Sequence, residues 1–380
     1  MTDYRGILLE LYAAGLAAVH GEWTVYQALQ TQQVVLPYHV VAIGKAAEAM
    51  FLGAQRYLQA QLSSALIITK YGHSTDKTQH LANVSVIEAG HPVPDENSLR
   101  AGAALLAYLQ ALPTDAPLLF LISGGASSLV EVLDTDWTLA KLQQITQGLL
   151  ADGSTIEQIN TVRRQVSVIK GGKLWQFINN YQVNGLFLSD VPSNDVQVIG
   201  SGLLFPPPTH VKFTWQLVAT NQQMLAAIQA AAFKQGLPAK IMPEFLQGEA
   251  TEVAVNCVNN LHNNPAGVYI WGAETTVTLP IQPGRGGRNQ HLALAAALAL
   301  QANEAIYVLA AGSDGTDGVT DDAGAMIDNH TLQRGYLANL DPVTCLNTAD
   351  SGTFLEASGD LIHVGATGTN VMDVIIGLKL

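Results

Sequence analysis

Six short segments of the chain combine small residues with charged ones, a composition typical of sites that bind anions and metals. Glycine and serine let backbone N–H groups approach a phosphate, basic side chains neutralise it, and aspartates hold cations or accept protons. The segments are Gly44–Ala47, Ser123–Ser128, Asn160–Lys173, Ser189–Asp195, Gly284–Gln290 and Gly312–Asp322. Together they predict a site for an anionic small molecule.

The first segment places Lys45 where a predicted strand ends and a predicted helix begins. A cation is disfavoured beside the positive end of a helix dipole, so Lys45 suits this position best when an anion lies next to it. The spacing is not that of a Walker A loop, because no glycine stands six residues before Lys45 and no serine or threonine follows it. Contact with a phosphoryl group is one interpretation, and a surface lysine in an ordinary turn is the other.

Two further segments predict phosphate contacts. A loop that follows a buried apolar run is expected to bind phosphate through its N–H groups and hydroxyls. Its members are Ser123, Gly124, Gly125, Ala126 and Ser127. Lys170 belongs to a group of four cations, with Arg163, Arg164 and Lys173, in a strongly acidic chain. We expect this group to face an anion. The alternative for the loop is an ordinary tight turn, and the alternative for the cationic group is a solvated helix face.

Aspartates at predicted strand ends supply the acidic part of the site. Asp190 directly follows a strand and is placed to hold Mg²⁺ or to accept a hydroxyl proton. Asp314 and Asp317 lie in a glycine-rich segment after another strand, where they could hold a hard cation or orient a hydroxyl substrate. We expect Asp190 to be catalytic, Asp190 and Asp314 to bind metal, and Asp314 and Asp317 to bind substrate. Simple turn formation is the alternative for each.

Arg285 and Arg288 are separated by two glycines at the start of a predicted helix. Guanidinium groups bind carboxylates or phosphates through paired hydrogen bonds, so this spacing predicts an anion clamp. We expect Arg288 to bind such an anion, and Arg285 to bind substrate together with Asn289.

The elements that position these segments alternate between strands and helices. The predicted strands are Val40–Ile43, Ala65–Thr69, Val84–Glu88, Leu118–Ile122, Gly185–Ser189 and Leu217–Thr220. The predicted helices are Ala46–Ala60, Glu96–Ala111, Leu139–Leu150 and Asn221–Gln235, with Asp95 as the N-cap of the second. Continuous apolar strands that alternate with helices predict an α/β fold with a parallel sheet covered on both faces.

The regular alternation of predicted strands and helices ends after Gly236. We therefore expect domains at 1–240 and 241–380, with the last segment of the chain able to pack back on the first domain. The second domain begins with a predicted helix, Gly248–His262. The runs Gly267–Trp271 and Thr275–Leu279 are short and close together, which predicts a hairpin.

Composition limits the class of protein. The chain has 380 residues, 48% apolar and 13% charged, which suits a globular enzyme of two domains. Its net charge of −13 argues against nucleic acid or an anionic membrane as partner. No apolar run is long enough to span a membrane, and no export signal is predicted. Two distant cysteines suit a reducing cytoplasm. The oligomeric state is left open, a homodimer included.

Ten motifs, in order along the chain, resemble those of the glycerate 2-kinase family, whose carboxy-terminal part is the MOFRL domain. They are GKAA, GHPVPD, SGGASS, INTVRR, KGGKL, SDVP, GRGGRNQ, AGSDGTDG, TDDAGA and GATGTNVMD. The resemblance runs from about residue 5 to the end. It implies an ATP- and Mg²⁺-dependent kinase that converts D-glycerate to 2-phosphoglycerate. It also implies a large Rossmann-like three-layer domain, a smaller α/β domain and an active site in the cleft between them.

By the same resemblance, Lys45 and Arg288 act at the transferring phosphoryl group and are expected to be catalytic. We expect the loop Ser123–Ser127 to bind the nucleotide together with Lys170. The chain departs from the family pattern at several points. Ala126 stands in place of a glycine, Asn194 in place of a carboxylate, and Gly272–Thr276 reads GAETT instead of GGETT. These departures bear on the nucleotide pose and on the preferred acceptor.

Three alternatives remain. Some relatives are labelled hydroxypyruvate reductases, but no G-x-G-x-x-G follows a strand here and no acidic residue stands at the distance that a ribose requires. A kinase for a related small hydroxy acid would use the same loops. A non-catalytic sensor of sugar phosphates would keep the anion loops and would need no aspartate cluster.

Overall fold

The computed structural model describes residues 3–31, 37–151, 156–179, 182–209, 212–301 and 304–380. Its helices are α1 Tyr4–Ala18, α2 Gly21–Gln30, α3 Ala47–Leu58, α4 Asp76–Gln79, α5 Glu96–Ala111, α6 Ala126–Leu129, α7 Leu139–Ala151, α8 Ile156–Val166, α9 Asn221–Lys234, α10 Ala250–Asn263, α11 Arg288–Ala299, α12 Thr331–Leu337, α13 Pro342–Asn347 and α14 Ser351–Ser358. Its strands are β1 Tyr38–Ile43, β2 Leu62–Lys70, β3 Val84–Ala89, β4 Leu118–Ile122, β5 Gln182–Leu188, β6 Lys212–Ala219, β7 Ala239–Ile241, β8 Leu246–Glu249, β9 Gly267–Thr276, β10 Ile306–Gly312, β11 Gly324–Asp328, β12 Leu361–Ile362 and β13 Asp373–Lys379.

The chain divides into two compact units. The parallel-sheet unit consists of Val19–Thr220 with Gly368–Val371. The mixed-sheet unit consists of Met1–Ala18, Asn221–Thr367 and Met372–Leu380. The boundary near residue 240 stays a prediction about where the folding domains divide.

The parallel-sheet unit contains, within the described residues, a six-stranded sheet in the order β3-β2-β1-β4-β5-β6. Every neighbouring pair is parallel, which confirms the predicted α/β architecture. All five residues of β4 are buried, because helices cover both of its faces and the strand can be apolar throughout. The strand order reverses between β1 and β4, the point at which open α/β sheets bind ligands beyond their carboxyl ends.

Local signals set the ends of the helices in this unit. The Asp95 side chain accepts from the Ser98 N–H at 3.0 Å, and the Ser98 hydroxyl lies 3.0 Å from the Asp95 N–H. This reciprocal capping box begins α5 at the predicted residue. The core between the helices and the sheet is aliphatic and aromatic, with Phe120, Leu105 and Phe187 among its buried members.

The mixed-sheet unit has the described strand order β12-β11-β10-β13-β9-β7, with β8 also paired to β9. The predicted hairpin within 267–279 is wrong, because Gly267–Thr276 forms one continuous strand. Gly272 and Ala273, where a hairpin would turn, pair with Val374 and Asp373 of β13. The other edge of β9 pairs with β7 and β8. Neighbours on both edges stabilise an extended backbone through this stretch.

The first helix, α1, belongs to the mixed-sheet unit. Arg5 forms ion pairs with Asp328 at 2.9 Å and with Asp360 at 2.8 Å, and Arg334 contacts the same two carboxylates. Asp360 is fully buried, so two guanidinium groups satisfy a carboxylate that burial alone would disfavour. In the part of the chain that is described, no helix is both long enough and apolar enough to cross a membrane.

Candidate functional site

The loops after β1 and β4 meet at the switch point of the parallel sheet. The Ser123 N–H donates to the Ile43 carbonyl and the Lys45 N–H donates to the Gly124 carbonyl, both at 2.9 Å. Gly44 has a φ of 131°, and a Cβ there would collide with the Ser123 side chain. Glycine is therefore needed at position 44 both for its backbone conformation and for this close approach.

Asp190 enters the same site from the end of β5. A Cβ on Gly124 would overlap the Asp190 carboxylate and the Asn370 amide, so the bare backbone of Gly124 is what admits both groups. The Asp190 carboxylate accepts from the Gly125 N–H. Burial raises the pKa of Asp190, and the positive charge of Lys45 acts in the opposite direction. A carboxylate with a raised pKa beside a lysine is suited to accepting a proton.

Gly125 forms the other wall of this cluster. Its φ is 85°, and a Cβ there would stand 3.1 Å from His91 Cδ2 and 3.2 Å from Lys45 Cγ. The next residue, Ala126, is fully buried and begins α6. The structure thus brings together Lys45, the predicted loop and Asp190, and it adds His91 and Asn370.

Two predicted phosphate contacts occupy other surroundings. The Lys170 ammonium and the Glu131 carboxylate are both fully buried and form an ion pair. Burial lowers the pKa of Lys170, and Glu131 opposes that shift. The Ser127 hydroxyl lies 2.8 Å from the Ser201 hydroxyl. Lys170 therefore has a carboxylate partner inside the protein, and its contact with a nucleotide stays a prediction.

In the mixed-sheet unit, Arg288 makes a bidentate ion pair. Its Nε donates to Asp373 at 2.6 Å and its Nη2 at 3.1 Å, while Nη1 lies 3.5 Å from Glu274. Asp373 is buried, and this carboxylate with Glu274 raises the pKa of Arg288 against the effect of burial. Two of the five guanidinium N–H groups are thus committed to Asp373. The predicted anion clamp would use the second N–H of Nη2 and those of Nη1, and Nη1 lies beside Glu274.

Asp317 caps the helix that Arg288 begins. Its carboxylate accepts from the N–H groups of Asn289 at 3.1 Å and Gln290 at 2.8 Å, and from the Asn289 side chain at 3.3 Å. Burial raises the pKa of Asp317 to about 7, with the Asp373 charge adding to the rise and the Gln290 N–H opposing it. Both predicted substrate-binding residues, Asp317 and Asn289, therefore have a structural partner in each other.

The remaining predicted residues of this unit also have internal partners. The Asp314 carboxylate accepts a hydrogen bond from the Thr316 N–H at 3.0 Å, a contact that stabilises a local turn. Arg285 pairs with Asp322 at 3.2 Å and with Glu356. The Arg285 side chain is 41% exposed, so it remains reachable by a ligand from solvent.

The described residues contain no group of three or more His, Cys, Asp or Glu side chains that could hold a metal ion. Beside Gly124, the Asp190 carboxylate offers oxygen ligands, and the Asn370 amide nitrogen, from the segment that precedes β13, lies next to the same position. Mg²⁺ commonly takes one or two protein carboxylates and completes its shell with water and nucleotide phosphates. This donor set fits Mg²⁺ delivered with a nucleotide and does not form an all-protein cage.

Sequence reasoning does not find three of the partners: Asp373 for Arg288, Glu131 for Lys170 and Asn370 for the Gly124 loop. Asp373 and Asn370 lie in the last motif, GATGTNVMD, whose polar residues are the signal that could have found them. Glu131 has no local signal, because nothing around it in sequence distinguishes it from a surface glutamate.

Comparison with known proteins identifies relatives over the whole chain. Residues 7–256 match a domain of unknown function, DUF4147, and residues 267–373 match the MOFRL family. A D-glycerate 2-kinase from Thermotoga maritima is 34% identical, and the alignment covers 98% of this chain and 98% of that protein. A putative hydroxypyruvate reductase from Agrobacterium vitis is also 34% identical, over 88% of this chain and 85% of that protein.

A solved structure of a relative has a similar fold. The crystal structure of a glycerate kinase from Thermotoga maritima superposes with a TM-score of 0.86 at 32% identity. The match covers 99% of both chains. The shared architecture thus extends over both units of the chain.

Proposed function

The chain belongs to the glycerate 2-kinase family, and from that membership we propose that it transfers the γ-phosphoryl group of ATP to the 2-hydroxyl of D-glycerate. One structural observation supports the proposal independently of the names of the relatives. A lysine, a glycine-rich loop and a carboxylate of raised pKa meet at the switch point of the parallel sheet. These are the parts that phosphoryl transfer uses, since its catalysis is mostly positioning and charge neutralisation.

In the proposed reaction the 2-hydroxyl oxygen attacks the γ-phosphorus, and the bond from that phosphorus to the β–γ bridging oxygen breaks. Asp190 takes the hydroxyl proton, which its raised pKa favours. Lys45 neutralises charge on the transferring group, and the N–H groups and hydroxyls of Ser123–Ser128 bind the nucleotide phosphates. ADP leaves with the electron pair of the broken bond.

Mg²⁺ would supply further neutralisation of the phosphate charge. Asp190 is the residue of this unit that would hold it, together with the nucleotide. In the mixed-sheet unit we keep Arg288 as a proposed catalytic residue, and Arg285, Asn289, Asp314 and Asp317 as proposed substrate-binding residues, with Asp314 also a proposed metal ligand. The side chains of Arg285 and Arg288 are 41% and 35% exposed, which supports their contact with a ligand.

The reductase name of one relative raises the question of which reaction the loops support. The sheet order of the parallel unit is also that of dinucleotide-binding domains, so the fold does not separate the two reactions. The loops do. After β1 the chain reads Gly44-Lys45-Ala46-Ala47, without the three spaced glycines that let a backbone approach a dinucleotide pyrophosphate. This favours the kinase.

A cytoplasmic location is also part of the proposal. Cys257 and Cys345 are both buried free thiols, which suits a reducing compartment.

Reaction class can be tested directly. The purified chain is incubated with ATP, Mg²⁺ and D-glycerate, and phosphorus NMR is expected to show 2-phosphoglycerate and ADP. In parallel, hydroxypyruvate with NADH or NADPH is expected to leave the nicotinamide absorbance unchanged. L-glycerate and other small 2-hydroxy acids in the first assay define the acceptor. Reduction of hydroxypyruvate at a rate above that of any ATP-dependent phosphorylation would overturn the proposal.

A further inference from the structure

The cationic group at 163–173 separates into residues with different partners. Lys170 is paired with Glu131 in the interior. Lys173 donates to the carbonyls of Arg164 and Ser167 at 2.7 and 2.6 Å, and Arg164 donates to the Gln197 carbonyl at 2.6 Å from a partly exposed position. Within this group of four, Arg163 alone is both deeply buried and weakly engaged.

Arg163 is 8% exposed, and its one hydrogen bond among those described is from Nη2 to the Pro92 carbonyl at a long 3.3 Å. Its Nε is buried and has no hydrogen-bond partner among the described residues. A buried charged donor without an acceptor is costly, so such groups are normally satisfied by protein, water or ligand. The geometry leaves this donor for a group that the described part of the chain does not supply.

Charge balance around Arg163 points the same way. Arg163 and Lys170 are both buried cations, and both interact with the carboxylate of Glu131. Glu131 is already in direct contact with Lys170. Two positive charges thus share one negative charge in a buried region, and an anion would neutralise the remainder.

The position of Arg163 connects it with the glycine-rich loop. Asn160, one helical turn earlier in α8, accepts from the Ser201 hydroxyl at 2.7 Å, and that hydroxyl lies 2.8 Å from Ser127. On its other side Arg163 donates to Pro92, whose neighbour His91 packs against Gly125. The α8 helix is therefore linked to Gly125 and Ser127 of the loop that also contacts Lys45 and Asp190.

We propose that Arg163 binds an anionic group of a substrate held over the Ser123–Ser128 loop. The group is a set of negatively charged oxygens, supplied either by the carboxylate of the hydroxy acid or by a phosphate of the nucleotide. This deepens the proposed kinase function and rests on it for the identity of the two substrates. Arg163 is a binding residue in this role, so its loss raises the KM for the substrate concerned more than it lowers kcat.

Arg163→Met and Arg163→Lys are the test variants, with Arg100→Met as the control. Arg100 is an exposed arginine of the same unit, which donates to Asn97. Met replaces the aliphatic part of the arginine side chain and removes an uncompensated buried charge, so the fold is expected to survive. Arg163→Lys keeps the charge but not the planar donor set. Unfolding midpoints check all three proteins, and KM and kcat are measured separately for D-glycerate and for ATP.

Arg163→Met is expected to raise one of the two KM values about 10- to 100-fold, the usual loss for a charge-assisted hydrogen bond. A higher KM for glycerate assigns the carboxylate, and a higher KM for ATP assigns the phosphate. Arg163→Lys is expected to lie between wild type and Met, and Arg100→Met to match wild type. If neither KM differs from that of Arg100→Met, the proposal is wrong; if Arg163→Met does not fold, the same criterion applies to Arg163→Lys.

A binding measurement separates this proposal from the kinase assignment. Unfolding midpoints of wild type and Arg163→Met are recorded with D-glycerate alone, ATP alone and inorganic phosphate alone. Stabilisation of wild type by one of these anions, lost in Arg163→Met and kept in Arg100→Met, supports the anion site even for a chain without kinase activity. Equal stabilisation of wild type and Arg163→Met by every anion contradicts the site even when phosphorylation is observed.

Discussion

Lys45 and Asp190 show how one residue sets the chemistry of another. Burial raises the pKa of Asp190 and so favours its protonated form, while Lys45 favours the ionised form. A carboxyl group balanced in this way can take a proton from a hydroxyl. In the proposed reaction the lysine then neutralises the phosphoryl group whose charge changes during the transfer.

Lys45→Ala is expected to lower kcat by at least on the order of 100-fold, since the loss of one preorganised charge contact costs roughly 3 kcal/mol. Steady-state kinetics with D-glycerate and ATP measure the effect, and circular dichroism checks the fold. Lys141→Ala, which removes an exposed lysine of the same unit, serves as the control. Near-normal turnover in a folded Lys45→Ala protein would remove Lys45 from the proposed site.

Arg288→Lys is expected to be nearly as damaging to kcat/KM as Arg288→Ala. An ammonium cannot reproduce the two hydrogen bonds from Nε and Nη2 to the buried Asp373 while it also presents a donor at the Nη1 edge. Kinetics of both variants give the comparison. Chemical denaturation measures the accompanying loss of stability, about 1–3 kcal/mol for a buried acceptor left unsatisfied. High activity in the Lys variant would show that Arg288 contributes only its positive charge and not its paired hydrogen bonds.

At the scale of single elements, the β4–α6 loop depends on the absence of a side chain. Gly124→Ala is expected to abolish most activity, because the new Cβ would displace the Asp190 carboxylate and the Asn370 amide. Gly148→Ala is the matched control, since nothing lies within 4 Å of a Cβ built there and it belongs to the interior of α7. That change is expected to stabilise the protein by about 0.5–1 kcal/mol. Equal activity of the two variants would contradict the arrangement at Gly124.

Asp317, which accepts hydrogen bonds from the first turn of α11, makes the free energy of unfolding depend on pH. Its pKa is raised from 3.8 to about 7 in the folded protein, so between these values the folded state holds a proton that the unfolded state has lost. Stability from this group therefore falls as pH rises from about 4 to about 7. The difference in unfolding free energy between wild type and Asp317→Asn is expected to fall over the same range.

Denaturant titrations of both proteins at several pH values measure that slope. Asp341 provides a control of opposite sign: its pKa is lowered by hydrogen bonds from Thr344, so its contribution is present above about pH 4 and is lost on further acidification. A wild-type advantage over Asp317→Asn that rises with pH would show that Asp317 is ionised throughout the range.

At the scale of the whole molecule, the net charge disfavours the binding of anions, whereas local groups of cations favour it. The chain carries −13, yet the proposed substrates are anions. Screening confines exposed charges to about 8 Å at physiological ionic strength, so distant carboxylates matter little and the local cations decide. Each unit has a separate hydrophobic core, which holds its own set of charged residues in place. The proposed phosphate binding would therefore depend on a few loops and not on the net charge of the protein.

Much of the parallel-sheet unit follows from sequence alone. The apolar run Leu118–Ile122 and the capped helix Glu96–Ala111 have the predicted bounds, because a buried strand and a helix with its own cap are determined by nearby residues. The positions of Lys45 and the Ser123–Ser128 loop after their strands are equally predictable. Parallel strands bring such loops to one edge of the sheet, so the sequence implies that Lys45 and this loop lie at the same edge. That β1 and β4 are neighbours is decided by the order of the folded sheet.

Tertiary structure alone decided the partners. Arg288 meets Asp373 because α11 begins beside the start of β13, and Lys170 meets Glu131 in the interior. No spacing in the sequence encodes either pair. The continuity of β9 likewise depends on β13, β7 and β8 lying on its two edges. Local patterns report local conformation, whereas ion pairs and strand neighbours depend on distances between segments that only the folded chain brings together.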